Sequence, residues 1–404
     1  MKTMTPRPLR RPAIATGAAL FVAAGLVACD APPELPADAR VRHDTIGGVV
    51  HVVSGNRGEW ARGGAWTVPD SGVVIGAVDG APEYVFGEIA GVVVDGEGRI
   101  WVADAQVPEI RVFDRDGALV RRIGRAGEGP GEFRNLSGLA LAPEGVGALD
   151  GTQGRVTVFD PDGAVVRTFR LQRAYMILEH GAAMAFDDEG RFLDRARLAT
   201  RPPLDSIAVI TYSPTGQPVD TAFIGAVDPG NIPVERDGRL IMSFRRPFTP
   251  QPVLAFGRDA RIFFTRGDAY RIEVIDPSGD TVRVLRREIA PRPVSDEERT
   301  AALDRVRGQF EEAGVVMPPG IELPATKPVI ADLVVDETGN LWVLNPPDAT
   351  WRSLEWWVHA PDGRYLGAIA TPMMEVMHIG EDFVAGVTFD EMGVQRVKVV
   401  PIRK

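Results

Sequence analysis

Short apolar runs separated by Gly-containing turns dominate the chain. Val92-Val93-Val94-Asp95-Gly96-Glu97-Gly98-Arg99-Ile100-Trp101-Val102 is two β-branched segments around one turn, and Leu333-Val334-Val335-Asp336-Glu337-Thr338-Gly339-Asn340-Leu341-Trp342-Val343 repeats it. A second unit, Val112-Phe113-Asp114-Arg115-Asp116-Gly117, returns at Val158–Gly163, Thr211–Gly216, Val274–Gly279 and Val358–Gly363. Its third residue steps by 46, 53, 63 and 84 positions. In such turns the Asp side chain bonds its own backbone and Gly accepts a positive φ. Each unit therefore reads as four antiparallel strands. Four strands in about 45–50 residues is the period of a β-propeller blade, not of a helical solenoid.

The pattern predicts an all-β fold, a six-bladed β-propeller of four-stranded antiparallel blades. Five blades fall near 87–124, 137–170, 180–224, 250–288 and 328–370, and the strands of a sixth lie at about 376–402. That sixth set is incomplete, and Gly47–Val53 is expected to supply its missing strand and close the ring. The alternative is a seventh blade built from strands in Trp66–Val78. One stretch departs from strand periodicity. Ser295-Asp296-Glu297-Glu298 is a capping box, Ala302, Val306 and Phe310 follow at helical spacing, and Gly314 ends the run. A short helical insertion is thus expected within about 290–327.

Composition sharpens the address. The first 28 residues hold Lys2, Arg7, Arg10 and Arg11 and no acid, followed by an apolar run from Ala13 to Ala28. That is a signal peptide (1–28), because sixteen apolar residues are short for a membrane span. Leu26-Val27-Ala28-Cys29 resembles the lipobox of bacterial lipoproteins, and Cys29 is the only cysteine of the 404 residues. The resemblance implies lipid attachment at Cys29. A Pro-rich linker completes residues 29–43, and the propeller occupies 44–404. Setting aside the four leader bases leaves 41 bases against 55 acids, about −14, so nucleic acid is not an expected partner. One Cys also excludes a Cys-rich zinc site or an intramolecular disulfide.

Gly124-Arg125-Ala126-Gly127-Glu128-Gly129-Pro130-Gly131-Glu132-Phe133, with the Val-Phe-Asp turns and Gly98-Arg99-Ile100-Trp101-Val102-Ala103-Asp104, resembles NHL-type six-bladed propellers. More closely it is similar to bacterial lipoproteins and exported proteins known as six-bladed β-propeller proteins. The likeness covers about 44–404 and includes Phe389–Val394. It implies a fold and no agreed activity.

Candidate chemistry is sparse. Gly127, Gly129 and Gly131 sit between strands, so they read as a link between blades and not as a phosphate loop. The Asp-x-Asp-Gly turns lack a full calcium ligand set, and Arg266-Gly267-Asp268 reads as a loop by chance. Aligning the second strands places Asp104, Asp150, Ala196, Arg266 and Asn345 at one position, a possible ligand-binding rim. The longer fifth-blade loop adds Trp351 and Arg352. No Gly-x-Ser-x-Gly, His-Glu-x-x-His or Ser-x-x-Lys motif occurs. Of the histidines at 43, 51, 180, 359 and 378, His180 and His378 precede first strands three blades apart and are the candidates for a metal across the channel. The expected function is an exported, lipid-anchored module of the bacterial envelope, facing the periplasm or cell exterior. Its expected partners are the membrane, through Cys29, and a protein, peptide or carbohydrate ligand. No cofactor and no catalytic residue is expected, calcium or zinc being the ions to consider. The alternative is a metal-dependent hydrolase or lyase, lactonase-like or peptidyl-hydroxyglycine-lyase-like, working in the channel.

Overall fold

The repeated Asp-x-Asp-Gly signature folds as anticipated in the computed structural model, which describes residues 41–404 apart from 173–176, 180–182, 199–204, 228–229, 237–238 and 348–351. Asp114 Oδ1 accepts from the backbone N–H of Asp116 and Ala118, at 3.0 and 2.9 Å, and Asp160 and Asp276 hold their turns in the same way. At Gly363, φ is +92°, and a Cβ would stand 2.4 Å from Leu285 Cδ2. Only glycine combines that backbone with that contact.

Blade 1 comprises Ile89–Val94, Ile100–Asp104, Glu109–Phe113 and Leu119–Ile123; blade 2 comprises Leu136–Ala142, Gly145–Asp150, Arg155–Phe159 and Val165–Arg170. Blade 3 is Met184–Phe186, Phe192–Leu198, Asp205–Tyr212 and Pro218–Val227, with Ile177–Glu179 also paired to its second strand. Blade 4 is Val253–Phe256, Ile262–Thr265, Arg271–Ile275 and Thr281–Arg287. Asp332–Val335, Leu341–Leu344, Ser353–His359 and Tyr365–Pro372 form blade 5. Blade 6 takes Glu375–Ile379, Phe383–Phe389 and Gln395–Pro401 from the C-terminus.

Ring closure differs from the expectation. The fourth strand of blade 6 is Val73–Ile75, whose residues pair with Val399, Lys398 and Val397. Ile75 is buried there with Ala385, Val387 and Val397. The Gly47–Val53 segment does not close the ring. Val49–Ser54 instead pairs in parallel with Thr281–Arg287 at the outer edge of blade 4, and Val41–Ile46 lies outside it. The reason is in the side chains: Val52 fits the apolar seam between blades 4 and 5, beside Leu285, Trp357 and Tyr365. No seventh blade forms from the Trp66–Val78 region.

The core lies between blades. Trp101 and Ile110 of blade 1 meet Leu139, Val146 and Phe159 of blade 2, and comparable clusters fill the other five seams. Two buried carboxylates at these seams are partnered through their turns. Asp95 Oδ2 accepts from Trp101 Nε1 at 2.8 Å, and Asp336 Oδ2 accepts from Trp342 Nε1 at 2.9 Å. In blade 5, His359 stands where blades 1 and 2 have Phe113 and Phe159. Its Nδ1 lies 3.0 Å from the Gly363 carbonyl oxygen, so Nδ1 carries the hydrogen, and Nε2 accepts from Tyr270 Oη at 2.6 Å. Beside this pair the buried Arg287 guanidinium lies 3.6 Å from the Tyr365 ring centroid and 5.0 Å from that of Tyr270.

Two insertions leave the ring. The expected helix is present as Asp296–Glu312, with both bonds of the Ser295–Glu298 capping box made. The second, a hairpin of Asn231–Arg236 and Arg239–Arg245, was not anticipated. Ile232, Val234 and Phe244 of the hairpin pack on Val306 and Phe310 of the helix, and the Phe244 and Phe310 rings are 4.1 Å apart.

Candidate functional site

The innermost strands of the six blades surround a central channel. Gly91 shows how tightly they meet, since a Cβ there would lie 2.8 Å from the backbone nitrogen of Leu139. Register defines one layer of equivalent positions around the channel. Gly91 pairs with Ala103, Gly138 with Leu149, Val253 with Thr265, Asp332 with Leu344 and Glu375 with Val387, and the Ala183 carbonyl accepts from Arg195 in the same place. Four blades thus supply Gly, Gly, Ala and Val, while adjacent blades 5 and 6 supply carboxylates. The channel segment at this layer has a volume of about 490 Å³, and Asp332 and Glu375 are the charged residues in a lining that is otherwise backbone, Ala, Val, Leu, Met and Phe. Burial pushes the Asp332 carboxyl up to about 6, and the nearby Glu375 charge adds to the rise; the Leu333 amide, donating to Oδ1 at 2.8 Å, opposes it.

Toward the opposite end the channel narrows between Leu139, Met184, Phe256, Val335 and Met377, and then meets Asp187, Arg258, Asp336, Glu337 and His378. These polar groups are engaged in structural bonds, His378 and Glu337 between blades and Asp187 and Asp336 within their own turns. His378 Nδ1 accepts from the Val94 amide of blade 1 at 3.0 Å, and Nε2 faces Glu337 Oε1 of blade 5 at 3.0 Å. One imidazole therefore joins three blades, with both ring nitrogens occupied. Asp187 accepts from the Glu189 and Arg191 amides and from Arg191 Nε. His180, the other sequence candidate, lies outside the described residues. Among the described residues, no group of three or more His, Cys, Asp or Glu is placed to hold a metal ion.

The rim residues divide. Asp104 is fully buried and accepts from the amides of Gly87, Glu88, Gln106 and Val107, with Arg111 Nη2 at 3.3 Å. Asp150, equally buried, accepts from the Arg134 and Gln153 amides and from Gln153 Nε2. Both carboxylates tie the link from the preceding blade to their own loop. Arg266 is exposed, its guanidinium 5.8 Å from the Phe264 ring, and Asn345 Nδ2 donates to Glu355 Oε1 at 3.0 Å. Arg352 is exposed, and Trp351 and Cys29 lie outside the described residues. Sequence alignment of second strands found the rim but passed over Asp332 and Glu375. Alignment of the first strands would not have found them either, because a bulge between Val376 and His378 shifts Glu375 by one residue relative to Asp332.

Residues 82–191, which are blades 1 and 2 with the start of blade 3, match the family described as 6-bladed beta-propeller. No curated protein matches the chain. Among solved structures, a Bacteroides fragilis protein described as a candidate for export is 14% identical over 84% of this chain and 96% of its own, with a TM-score of 0.47. A virginiamycin B lyase from Staphylococcus aureus is 10% identical over 78% of this chain and 94% of its own, with a TM-score of 0.35. The PQQ-bound aldose sugar dehydrogenase of Streptomyces coelicolor is 14% identical over 84% of this chain and 99% of its own, at 0.41. At these identities the likenesses concern fold and carry none of those proteins' chemistry. Six blades close around one channel, and the family's pattern is matched over residues 82–191, so the chain has the fold of a six-bladed β-propeller.

Proposed function

We propose that this protein is an exported, lipid-anchored binding module of the bacterial envelope, and that it takes its ligand at the central channel. The observation that carries the reading is the channel layer itself. A cavity of about 490 Å³ is of ligand-binding size, and two carboxylates on adjacent blades give one charged side to a wall otherwise made of backbone and apolar side chains. A ligand presenting a cation, such as a basic side chain or terminal amine of a peptide, complements that side. The Asp104, Asp150 and His378 polar atoms support binding over chemistry, because each is already used in a structural bond. Anchoring rests on the Leu26–Cys29 sequence.

The channel reading is tested by a thermal-shift screen of cationic peptides against the purified mature protein, with every hit repeated on an Asp332→Asn, Glu375→Gln double variant. Hits that shift the wild type and not the variant support it. Hits whose shift is the same in both refute it. A Cys29→Ala variant tests the anchor: it should leave the membrane fraction, and retention would contradict acylation.

A further inference from the structure

The hairpin Asn231–Arg245 is built against the usual economy of a blade link, and its surface is the most apolar exposed stretch of strand in the described chain. Leu240, Ile241 and Met242 are consecutive and 62%, 44% and 37% exposed. Ordinarily one face of a strand is covered. Here residues 239–243 are exposed on both, because only Val234, Ile232 and Phe244 turn inward onto the helix. Arginines flank the apolar run: Arg236, Arg239 and Arg245 are exposed, and Arg246 follows, against Glu235 and Asp237 in the same stretch. Arg305 of the helix lines the cleft beside Arg245. The hairpin is thus apolar and net basic, four arginines against two acids over 231–246, on a chain that carries about −14 beyond its leader; the helix packed behind it, Asp296–Glu312, holds six acids against three arginines.

Its position relative to the entering chain is fixed by register. The outer strand of blade 3 ends at Val227 on the rim where inner strands begin, and the hairpin leaves and returns at that rim before Val253. The outer strand of blade 4 ends on the same rim at Arg287, which pairs with Ser54, and Ser54 pairs with Val41. Val41 is therefore on the hairpin's rim and at the blade that follows it. Eleven residues separate Val41 from Cys29, and they can span at most about 40 Å.

We propose that this hairpin is a second membrane contact, docking against an anionic lipid surface with Leu240, Ile241 and Met242 at the interface and Arg236, Arg239 and Arg245 among the headgroups. The proposal rests on the lipid-anchor reading for its geometry. The charges act with the acyl chain: a net acidic body is repelled by an anionic bilayer while the net basic hairpin is drawn to it, so the tethered propeller is turned with the hairpin's rim inward. One anchor alone holds a protein to a membrane without fixing its orientation, and a second signal also makes attachment durable.

The test uses the mature chain from residue 29 carrying Cys29→Ala, so that no acyl chain contributes, and vesicles of phosphatidylglycerol with phosphatidylethanolamine against vesicles of phosphatidylcholine. Flotation should show binding to the anionic vesicles only, weakening as sodium chloride is raised. Replacing Arg239 and Arg245 together by Gln should weaken it about twenty-five-fold, at about fivefold for each arginine. Ile241→Ser should weaken it with the melting temperature unchanged, since the side chain is exposed. Absence of binding to anionic vesicles, or equal binding by the Arg239→Gln, Arg245→Gln variant, would overturn the proposal; so would a protein that co-purifies through the hairpin and leaves vesicle binding untouched by these changes. Failure of the anchor is read separately, by mass spectrometry of Cys29 in the wild-type protein.

Discussion

Acidification should destabilise this propeller in a way that can be traced to one side chain. His359 is buried in blade 5 as a neutral imidazole, its tautomer set by donation to Gly363 and by acceptance from Tyr270. Burial, with the Arg287 cation nearby, pushes it down to about 3 from an ordinary value near 6.5. In the unfolded chain the same imidazole takes a proton below about pH 6.5, which favours unfolding. Its contribution to stability is thus complete above pH 6.5 and is lost as pH falls toward 3, at about 1.4 kcal/mol per pH unit. From pH 6.5 to 4.5 that amounts to roughly 2.7 kcal/mol, a large share of a stability that is ordinarily about 5–15 kcal/mol. Urea unfolding followed by tryptophan fluorescence, at intervals from pH 7.5 to 4.5, measures it. The comparison is a Tyr270→Phe, His359→Phe double variant, which removes both side-chain partners together and leaves only the Gly363 carbonyl without its donor, at a cost that does not vary with pH. Carboxylates titrate equally in both proteins, so the difference between the two curves belongs to His359. Curves that stay parallel over the whole range would refute this account.

Four further outcomes are expected. Asp332→Asn should raise the melting temperature above pH 7 and not at pH 4, because a carboxyl pushed up to about 6 disfavours the folded state only where it must ionise. Ile75→Ala should cost about 2–5 kcal/mol in urea unfolding, since it opens a void in the seam that closes the ring. Asp104→Ala should cost at least 3 kcal/mol by the same measurement, because four loop amides and the buried Arg111 lose their acceptor together. Asp336→Ala should shift the emission of Trp342 and cost about 1–3 kcal/mol, as its indole N–H and the Thr338 and Asn340 amides are left unpaired.

The blades were legible because the constraints that make them are local. An Asp that bonds amides two and four residues on, and a Gly with positive φ, leave a signature in six letters. The capping box was readable for the same reason. Ring closure was not, since Gly47–Val53 and Val73–Ile75 are both short apolar strands and what separates them is the seam each fits, a matter of neighbours hundreds of residues away. The hairpin escaped because it lies between the third and fourth blades, outside the repeated turn signature, and pairs only within its own insertion. At the rim, Asp104 and Asp150 could be aligned from the sequence, but the amides that saturate them come from the preceding link, which alignment does not see. Asp332 and Glu375 were hidden for the opposite reason: singly each is an unremarked acid, and only the shared layer brings them together.

The clasp at Val73–Ile75 also bears on when this protein can fold. Its partner strand, Gln395–Pro401, is made more than 300 residues later. Until those residues emerge, blade 6 has an open edge and the seam between blades 6 and 1 has no second wall. Joining ends so far apart carries the largest loop-closure entropy in the ring, of order (3/2)RT ln n, and folds dominated by such distant pairings form slowly. The ring cannot shut before Gln395–Pro401 is available to Val73–Ile75, and removal of residues 395–404 would leave a folded-looking string of blades with its closure undone.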